Sequence, residues 1–264
     1  MSWEGGRGLR VALGVIGIGR DPTSNLGSIL CMTESAAVQG ADLVIFPEAS
    51  LTGLINRDEP AEDLPLGVPV PGPVTDKLSR KSRQLGVYLG LGLLERDDEC
   101  LFDTALLFDP RGELCLKYRR VSSGWHGPAA DPEVYGHGNC VQAVDTSLGR
   151  VAFLICGDLF ADEASAVGEM SVDLLLVPYA RCTYKTGYHQ DRWESEEEPY
   201  YAERVRQLGA TTILVNYLAG SEICRGMCGP CSGGAYGGAM VISADGAIAA
   251  KKPVGEEGLL LVNL

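Results

Sequence analysis

Two side chains able to take part in covalent catalysis follow apolar segments of the chain. Ile45-Phe46-Pro47 leads into Glu48, and Phe153-Leu154-Ile155 leads into Cys156. In the sheets of α/β proteins, side chains at strand ends are held by a rigid scaffold and still reach the space where ligands bind. A thiol attacks a carbon centre well as the thiolate, and a neighbouring carboxylate can accept its proton. The pattern predicts Cys156 as a nucleophile and Glu48 as its base.

Each of these residues also has an ordinary structural explanation. A cysteine at the end of an apolar strand is commonly a small core residue. A glutamate in such a place is commonly a solvated loop acid or a helix cap. Taken singly, Glu48 and Cys156 leave both explanations open.

The elements that must position these residues follow the rhythm of an α/β protein, with short β-rich runs between longer amphipathic segments. Several predicted strands are continuous apolar runs, as in sheets buried on both faces. The turn Pro110-Arg111-Gly112 indicates a hairpin. No repeat or linker divides the chain, so we expect one domain over residues 1–264. We expect strands at 10–18, 41–48, 87–94, 103–109, 113–118, 150–156, 172–178, 211–217, 238–243 and 259–263, and helices at 25–39, 75–85, 163–170 and 193–208.

Composition narrows the classes of partner. The 264 residues include 22 Lys and Arg against 35 Asp and Glu, a net charge of −13. Such a charge repels phosphate backbones, so nucleic acid is not an expected partner. No segment approaches the ~20 apolar residues of a membrane helix, and the N-terminus lacks a signal-peptide pattern. We expect a cytoplasmic protein with no membrane partner, whose nine cysteines are reduced thiols.

Three sequence blocks carry a family resemblance. They are GADLVIFPEASLTG at residues 40–53, GELCLKYRRV at 112–121 and GRVAFLICGD at 149–158. Weaker matches are EVYGHG at 133–138, VN at 215–216 and GGAMVISADG at 237–246. In this order and spacing the blocks resemble the nitrilase superfamily of carbon–nitrogen hydrolases, from about Val11 to Val262.

The resemblance implies a fold and a mechanism. The fold would be an α/β four-layer αββα sandwich of the nitrilase type, assembled as homodimers or higher homo-oligomers. Glu48 would be the general base and Cys156 the nucleophile, and Glu48 would later activate the water that hydrolyses a thioester. The backbone N–H of Gly157 would help to hold the oxyanion. No cofactor is implied.

The second block departs from the family pattern. When its glycine and its Tyr-Arg pair are aligned, the catalytic lysine of the family falls on Arg120. Moving Lys117 into that place needs a three-residue shift, which on a strand turns the side chain to the opposite face. Arg120 can stabilise an oxyanion or thiolate, but it cannot release a proton near neutral pH. It could also pair with Glu48 and remove the base, or be a cation on a solvated strand edge.

Further site residues are expected from the resemblance and from the fold. Glu133 is a candidate second carboxylate that would orient the cation and contact substrate, although a plain loop acid explains it nearly as well. Tyr179 and Arg181 follow the strand at 172–178 and are candidate substrate contacts.

A cysteine cluster offers a competing interpretation. Cys224, Cys228 and Cys231 have the spacing of iron–sulfur ligands in radical enzymes, but such motifs usually follow an N-terminal strand. With Cys182 or His189 they could form a zinc site. A reduced, glycine-rich surface loop is the simpler explanation, and we expect no metal.

These observations predict a hydrolase that cleaves a non-peptide C–N bond of a small amide, with amidase activity favoured over nitrilase activity. The alternative is a catalytically silent relative in which Arg120 replaces lysine and the pocket binds a small ligand or a partner.

Overall fold

Two β-sheets packed face to face, each with helices on its outer face, form the architecture of the computed structural model. The structure describes residues 8–54, 57–183, 190–223 and 233–264. The layers run helices, sheet, sheet, helices, so the predicted four-layer αββα sandwich is confirmed. Within the described part of the chain, no helix is both long and apolar enough to cross a membrane.

The elements have the following bounds in chain order. The strands are β1 (Arg10–Val15), β2 (Leu43–Ile45), β3 (Tyr88–Asp97), β4 (Cys100–Phe108), β5 (Leu114–Arg119), β6 (Ala143–Thr146), β7 (Gly149–Phe153), β8 (Leu174–Pro178), β9 (Thr211–Val215), β10 (Leu218–Ala219), β11 (Ala235–Ile242), β12 (Ile248–Val254) and β13 (Gly258–Asn263). The helices are α1 (Pro22–Val38), α2 (Pro60–Asp63), α3 (Pro73–Leu85), α4 (Ala166–Glu169), α5 (Gln190–Arg192) and α6 (Glu198–Leu208), and the π-helical turn Trp193–Glu197 joins the last two.

The two sheets share a plan of parallel central strands with antiparallel flanks. The first sheet has the order β13-β1-β2-β3-β4-β5, with β1, β2 and β3 parallel. The second has the order β10-β11-β9-β8-β7-β6, with β7, β8 and β9 parallel, and β12 pairs with β11. The predicted hairpin joins β4 and β5. Because β13 pairs with β1, the last described strand closes against the first.

Burial on both faces explains the continuous apolar strands. In β2, Ile45 belongs to the core between the sheets, whereas its neighbour Val44 packs under the helices of the outer layer. That outer core also contains Ile29 of α1 and Leu78 of α3. Val205 of α6 packs against the other sheet. Alternate side chains of one strand therefore meet two different apolar layers, which leaves no polar face in the sequence.

The structure differs from the sequence expectations at the ends of elements. The predicted strand 150–156 stops at Phe153, because Cys156 begins a 3₁₀ turn. The predicted helix 163–170 is a 3₁₀ turn, Asp162–Ser165, followed by the single turn α4. The edge strands β6 and β12 were not predicted, because they are largely exposed or half-buried and carry no apolar run.

Candidate active site

Three strand ends bring Glu48, Arg120 and Cys156 together. Glu48 lies three residues after β2, Arg120 directly after β5, and Cys156 three residues after β7. Arg120 Nη1 donates to Glu48 Oε1 over 2.9 Å, and both side chains are buried. Cys156 is half-buried and close enough for its charge to act on both partners. A carboxylate, a guanidinium and a thiol thus form one cluster, named here the Glu48–Arg120–Cys156 cluster.

The backbone turns sharply at both strand ends that carry the cluster. Cys156 has φ +47°, and Ala49, directly after Glu48, has φ +46°. A non-glycine residue in the left-handed region costs of order 1 kcal/mol or more and is concentrated at functional sites. Gly92 supports the first turn closely, since a Cβ there would lie 2.5 Å from the Glu48 Cα. The strained turns and the close backbone packing therefore fix the directions of the Glu48 and Cys156 side chains.

The structure places Arg120, and not Lys117, beside Glu48. Lys117 is about one-third exposed, and its Nζ contacts Glu95 Oε1 at 2.8 Å. Arg119 binds the same carboxylate through Nε and Nη2, at 2.9 and 2.8 Å. Lys117 and Arg119 occupy one face of β5, whereas Arg120 reaches the opposite side, as the strand parity requires.

The second carboxylate on Arg120 is Asp103, which the sequence analysis did not single out. Asp103 Oδ2 lies 3.4 Å from Arg120 Nη1, and the Arg120 backbone N–H donates to the Asp103 carbonyl at 2.9 Å. Its signal in the sequence is an acid inside the apolar strand β4. A buried acid of this kind needs a partner, and the next strand supplies it.

The expectation for Glu133 therefore needs correction. Glu133 is exposed, its backbone N–H donates to Asp131, and its carbonyl accepts from Cys100. Within the described residues it has no contact with Arg120. The physical reason is that its segment forms a turn on the surface beside β4, so its side chain points to solvent.

A second buried acid, Asp158, ties the turn of Cys156 to the end of β5. Its Oδ2 accepts from the Tyr118 hydroxyl at 2.7 Å and from the Ile155 N–H at 3.1 Å. Its Oδ1 accepts from the Ser122 N–H at 2.8 Å. Asp158 was not predicted either, although it stands two residues after the cysteine. It is a positioning residue, because it fixes the backbone on both sides of the cluster.

Burial and the neighbouring charges in the cluster increase the affinity of the Glu48 carboxylate for a proton. Burial raises the pKa of Glu48 well above its usual range, and the charges of Cys156 and Asp103 raise it further, against the opposing charge of Arg120. Burial also raises the pKa of Asp103. Two buried carboxyl groups thus share one guanidinium. Glu48 Oε2 and Asp103 Oδ1 receive no hydrogen-bond donor from the described residues.

Arg120 stays cationic and packs over the turn of the cysteine. Burial lowers the pKa of Arg120, but the charges of Cys156 and the two carboxylates outweigh burial and hold that pKa above its ordinary value. A Cβ added to Gly157 would lie 2.7 Å from Arg120 Nη2. A glycine after the cysteine thus allows the guanidinium to approach the backbone N–H that was predicted to face an oxyanion.

Asp103 makes the pH dependence of the site testable. An Asp103→Asn substitution removes a charge that raises the pKa of Glu48, so the pKa of Glu48 falls. If ionised Glu48 is the base, the acidic limb of kcat/KM moves to lower pH. The measurement is a pH–rate profile from pH 4 to 9, with Asp97→Asn at an exposed site as the control. An acidic limb that stays in place or moves to higher pH would contradict the assignment.

Tyr179 and Arg181 lie beside the cluster. Tyr179 is buried and its ring packs against Tyr201, with 5.9 Å between centroids. Arg181 is half-exposed, and the carbonyl of the preceding Ala180 lies 3.8 Å from Cys156 Sγ. The segment that follows β8 therefore passes beside the thiol, with Tyr179 and Arg181 on either side of the Ala180 contact.

No metal site is formed by the described residues: among them, no three His, Cys, Asp or Glu side chains are grouped to hold an ion. Cys224, Cys228, Cys231 and His189 lie outside the described residues. Cys182 is described and buried, and the described cysteines Cys31, Cys100, Cys115, Cys140 and Cys156 are free thiols.

Solved structures share the fold. An amidase from Nesterenkonia sp. superposes with a TM-score of 0.75 at 24% identity, over 98% of this chain and 91% of the amidase. A mutant of the amidase from Nesterenkonia sp. AN1 shows covalent addition of the acetamide moiety of fluoroacetamide at the active site cysteine. It superposes with a TM-score of 0.75 at 24% identity, over 100% of this chain and 93% of that chain. At this identity the likeness concerns the architecture.

Sequence comparison defines the family. A bifunctional nitrilase/nitrile hydratase of Nicotiana tabacum is 30% identical over 154 residues, 52% of this chain and 43% of the relative. Nitrilase 2 of Arabidopsis thaliana is 30% identical over 138 residues, 46% of this chain and 40% of the relative. These matches cover less than half of the length of those curated relatives. The carbon–nitrogen hydrolase family model matches residues 10–264, and the chain belongs to that family.

Proposed function

We propose that this protein hydrolyses the C–N bond of a small, non-peptide amide through a thioester on Cys156. The observation that carries this proposal is the buried Glu48–Arg120–Cys156 cluster, in which a thiol, a high-pKa carboxyl group and a fixed positive charge meet. These are the parts that acyl transfer needs: a nucleophile, a base and a stabiliser of negative charge. We propose that residues 1–264 act as one catalytic domain.

The first half-reaction forms the thioester. Cys156 Sγ attacks the amide carbonyl carbon while its proton passes to Glu48. The negative charge that develops on the carbonyl oxygen faces Arg120 and the Gly157 N–H. When the C–N bond breaks, Glu48 returns the proton to the nitrogen, and ammonia leaves. Arg120 needs to release no proton in this sequence, because Glu48 carries out each transfer.

The second half-reaction releases the acid. Glu48, again ionised, takes a proton from a water molecule as that water attacks the thioester carbonyl. The C–S bond then breaks and the proton returns to the sulfur, which restores the thiol. The raised pKa of Glu48 suits both steps, because general bases work best with a pKa near the working pH.

We propose amidase activity in preference to nitrilase activity. The superposable amidase from Nesterenkonia sp. supports an amide substrate, whereas the curated relatives above are nitrilases. We propose assembly as homodimers or higher homo-oligomers and a cytoplasmic location, where the thiol of Cys156 stays reduced.

Ammonia release from panels of short amides and nitriles tests the proposal. We expect ammonia from amides, complete loss of release in Cys156→Ala, and nearly unchanged release in Cys228→Ala. The second variant is the matched control, because it removes a thiol from the cysteine cluster and leaves the nucleophile. Equal loss in both variants would contradict the proposal and favour the metal interpretation.

The 2.9 Å ion pair between Arg120 and Glu48 favours one second candidate, a catalytically silent relative that binds a small ligand through the same pocket. In that protein the guanidinium would hold the base permanently. The amide panel separates the two, since the silent relative releases no ammonia while Cys156 still reacts with an alkylating reagent.

A further inference from the structure

Arg120 meets two buried carboxylates through a single nitrogen atom. Its Nη1 lies 2.9 Å from Glu48 Oε1 and 3.4 Å from Asp103 Oδ2, and none of the three side chains is more than 3% exposed. Its Nε donates to Ser122 Oγ at 2.9 Å. Its Nη2 lies beside Gly157, where an added Cβ would be 2.7 Å away. The guanidinium thus has a fixed orientation in which, among the hydrogen bonds of the described residues, Glu48 receives Nη1 only.

The register of β4 and β5 places Asp103 next to this guanidinium. Thr104 pairs with Arg119, and the Arg120 N–H donates to the Asp103 carbonyl at 2.9 Å. Side chains that lie opposite each other on neighbouring strands share one face of the sheet. Arg119 points to the other face, where it pairs with Glu95. Asp103 therefore gives Arg120 a counter-ion other than Glu48.

The contact at one oxygen leaves the other oxygen of Glu48 available. Glu48 Oε2 receives no hydrogen-bond donor from the described residues. A guanidinium fork that meets a single carboxylate commonly binds both of its oxygens. A second charge-assisted hydrogen bond would stabilise the ionised form of Glu48 and occupy the oxygen that must accept a proton. The base therefore depends on a partner that keeps Arg120 off Oε2.

The charges around the two carboxyl groups indicate which of them holds a proton. The facing groups are Arg120 after β5, and Cys156 and Asp158 in the turn after β7. Burial raises the pKa of Glu48, and a hydrogen bond to Asp103 raises it further. Burial also raises the pKa of Asp103, but the same hydrogen bond opposes that rise. Glu48 thus takes up a proton before Asp103 does, and Asp103 remains the anion that balances Arg120.

We propose that Asp103 is a positioning residue that keeps Glu48 available as the base, because it holds the Arg120 guanidinium away from the second oxygen of Glu48. Glu48 Oε2 then takes the proton of Cys156, so that an S–H bond is exchanged for an O–H bond as the sulfur attacks. A permanently charged guanidinium can therefore sit beside the base without inactivating it. This inference rests on the proposed amide hydrolysis and adds the residue that makes Arg120 compatible with it.

A double-mutant cycle tests the inference. Asp103→Asn keeps the shape of the side chain and removes its charge. We expect it to lower kcat on a short amide by about 10- to 100-fold, because Arg120 then binds both oxygens of Glu48. Arg120→Lys replaces the fork by a point charge, so in that background Asp103→Asn should lower kcat by less than about threefold. Asp97→Asn, at an exposed acid, is the control and should change kcat in neither background.

The cycle separates positioning from a merely structural role. An Asp103 that only supports the fold would give the same loss of kcat in both backgrounds, and that result would overturn the inference. Turnover by the wild-type protein would then still support the proposed function. Circular dichroism and thermal unfolding of each variant show whether it is folded at the assay temperature.

A crystal structure of the Asp103→Asn protein at pH 8 provides a measurement that does not depend on turnover. We expect the Arg120 guanidinium to contact both Oε1 and Oε2 of Glu48, whereas the wild-type protein shows the contact at Oε1 only. An unchanged contact at Oε1 alone would overturn the inference. If the wild-type protein releases no ammonia from any amide, contacts at both oxygens would support the positioning role of Asp103 while the proposed hydrolysis fails.

Discussion

Replacing Glu48 with glutamine is expected to lower amide turnover by about a thousandfold or more, because the variant loses the group that moves the proton in both half-reactions. The amide of glutamine keeps the size of the side chain and can still contact Arg120. The measurement is kcat and kcat/KM on an amide that the wild-type protein uses. Glu133→Gln, at an exposed acid, is the matched control and should keep full activity. Equal activity of Glu48→Gln and wild type would remove Glu48 from the mechanism.

The same variant is expected to keep its folded stability at alkaline pH. The pKa of Glu48 is raised in the folded protein, so its contribution to stability is present at low pH and is lost as pH rises through that raised pKa. Glutamine carries no such penalty, and Arg120 retains Asp103 as its counter-ion. The difference in Tm between variant and wild type should therefore move in favour of the variant from pH 5 to pH 8. A difference that moves the other way would contradict the electrostatic assignment.

Replacing Arg120 with methionine is expected to cost about 3–5 kcal/mol of unfolding free energy at pH 8, because two buried carboxyl groups lose their common cation. Turnover should also vanish, since no positive charge then faces the oxyanion. The measurement is urea unfolding of wild type and variant at pH 5 and pH 8. The loss should be smaller at pH 5 than at pH 8, because burial raises the pKa of both Glu48 and Asp103 and proton uptake at lower pH reduces the negative charge left without a cation.

Arg120→Lys is the matched comparison for that result. It keeps the charge but removes the guanidinium, whose Nη1 contacts both carboxylates, so its loss of stability should lie between wild type and Arg120→Met. A destabilisation of Arg120→Met below about 1 kcal/mol would show that the buried ion pairs do not hold the cluster together.

Glu48, Arg120 and Cys156 could be predicted from the sequence because patterns in the neighbouring residues indicate strand ends there. Glu48 and Cys156 follow apolar runs, and strand parity separates Arg120 from Lys117. The α/β class followed from the same runs, because strands with two buried faces leave a visible apolar pattern. The four-layer sandwich was implied by the family resemblance. The left-handed turns at Ala49 and Cys156 were not visible, since neither residue type signals a positive φ.

The partners of Arg120 could not be predicted because they depend on register. Asp103 reaches Arg120 through the pairing of β4 with β5, in which Thr104 lies opposite Arg119. The role of Asp158 could not be predicted because it binds backbone N–H groups of two turns that lie far apart in the sequence. Glu133 was chosen on a motif in a loop, and loops have no periodicity that would report which way a side chain points.

Intact mass spectrometry of the protein mixed with a reactive short amide tests the central claim most directly. The account predicts an added mass equal to the acyl group, mapped by peptide analysis to Cys156 and absent in Cys156→Ala. Cys115 serves as an internal control, because burial raises its pKa to about 11 and keeps it a thiol at neutral pH. Ammonia release that persists in Cys156→Ala, or an adduct that persists in that variant, would contradict the account.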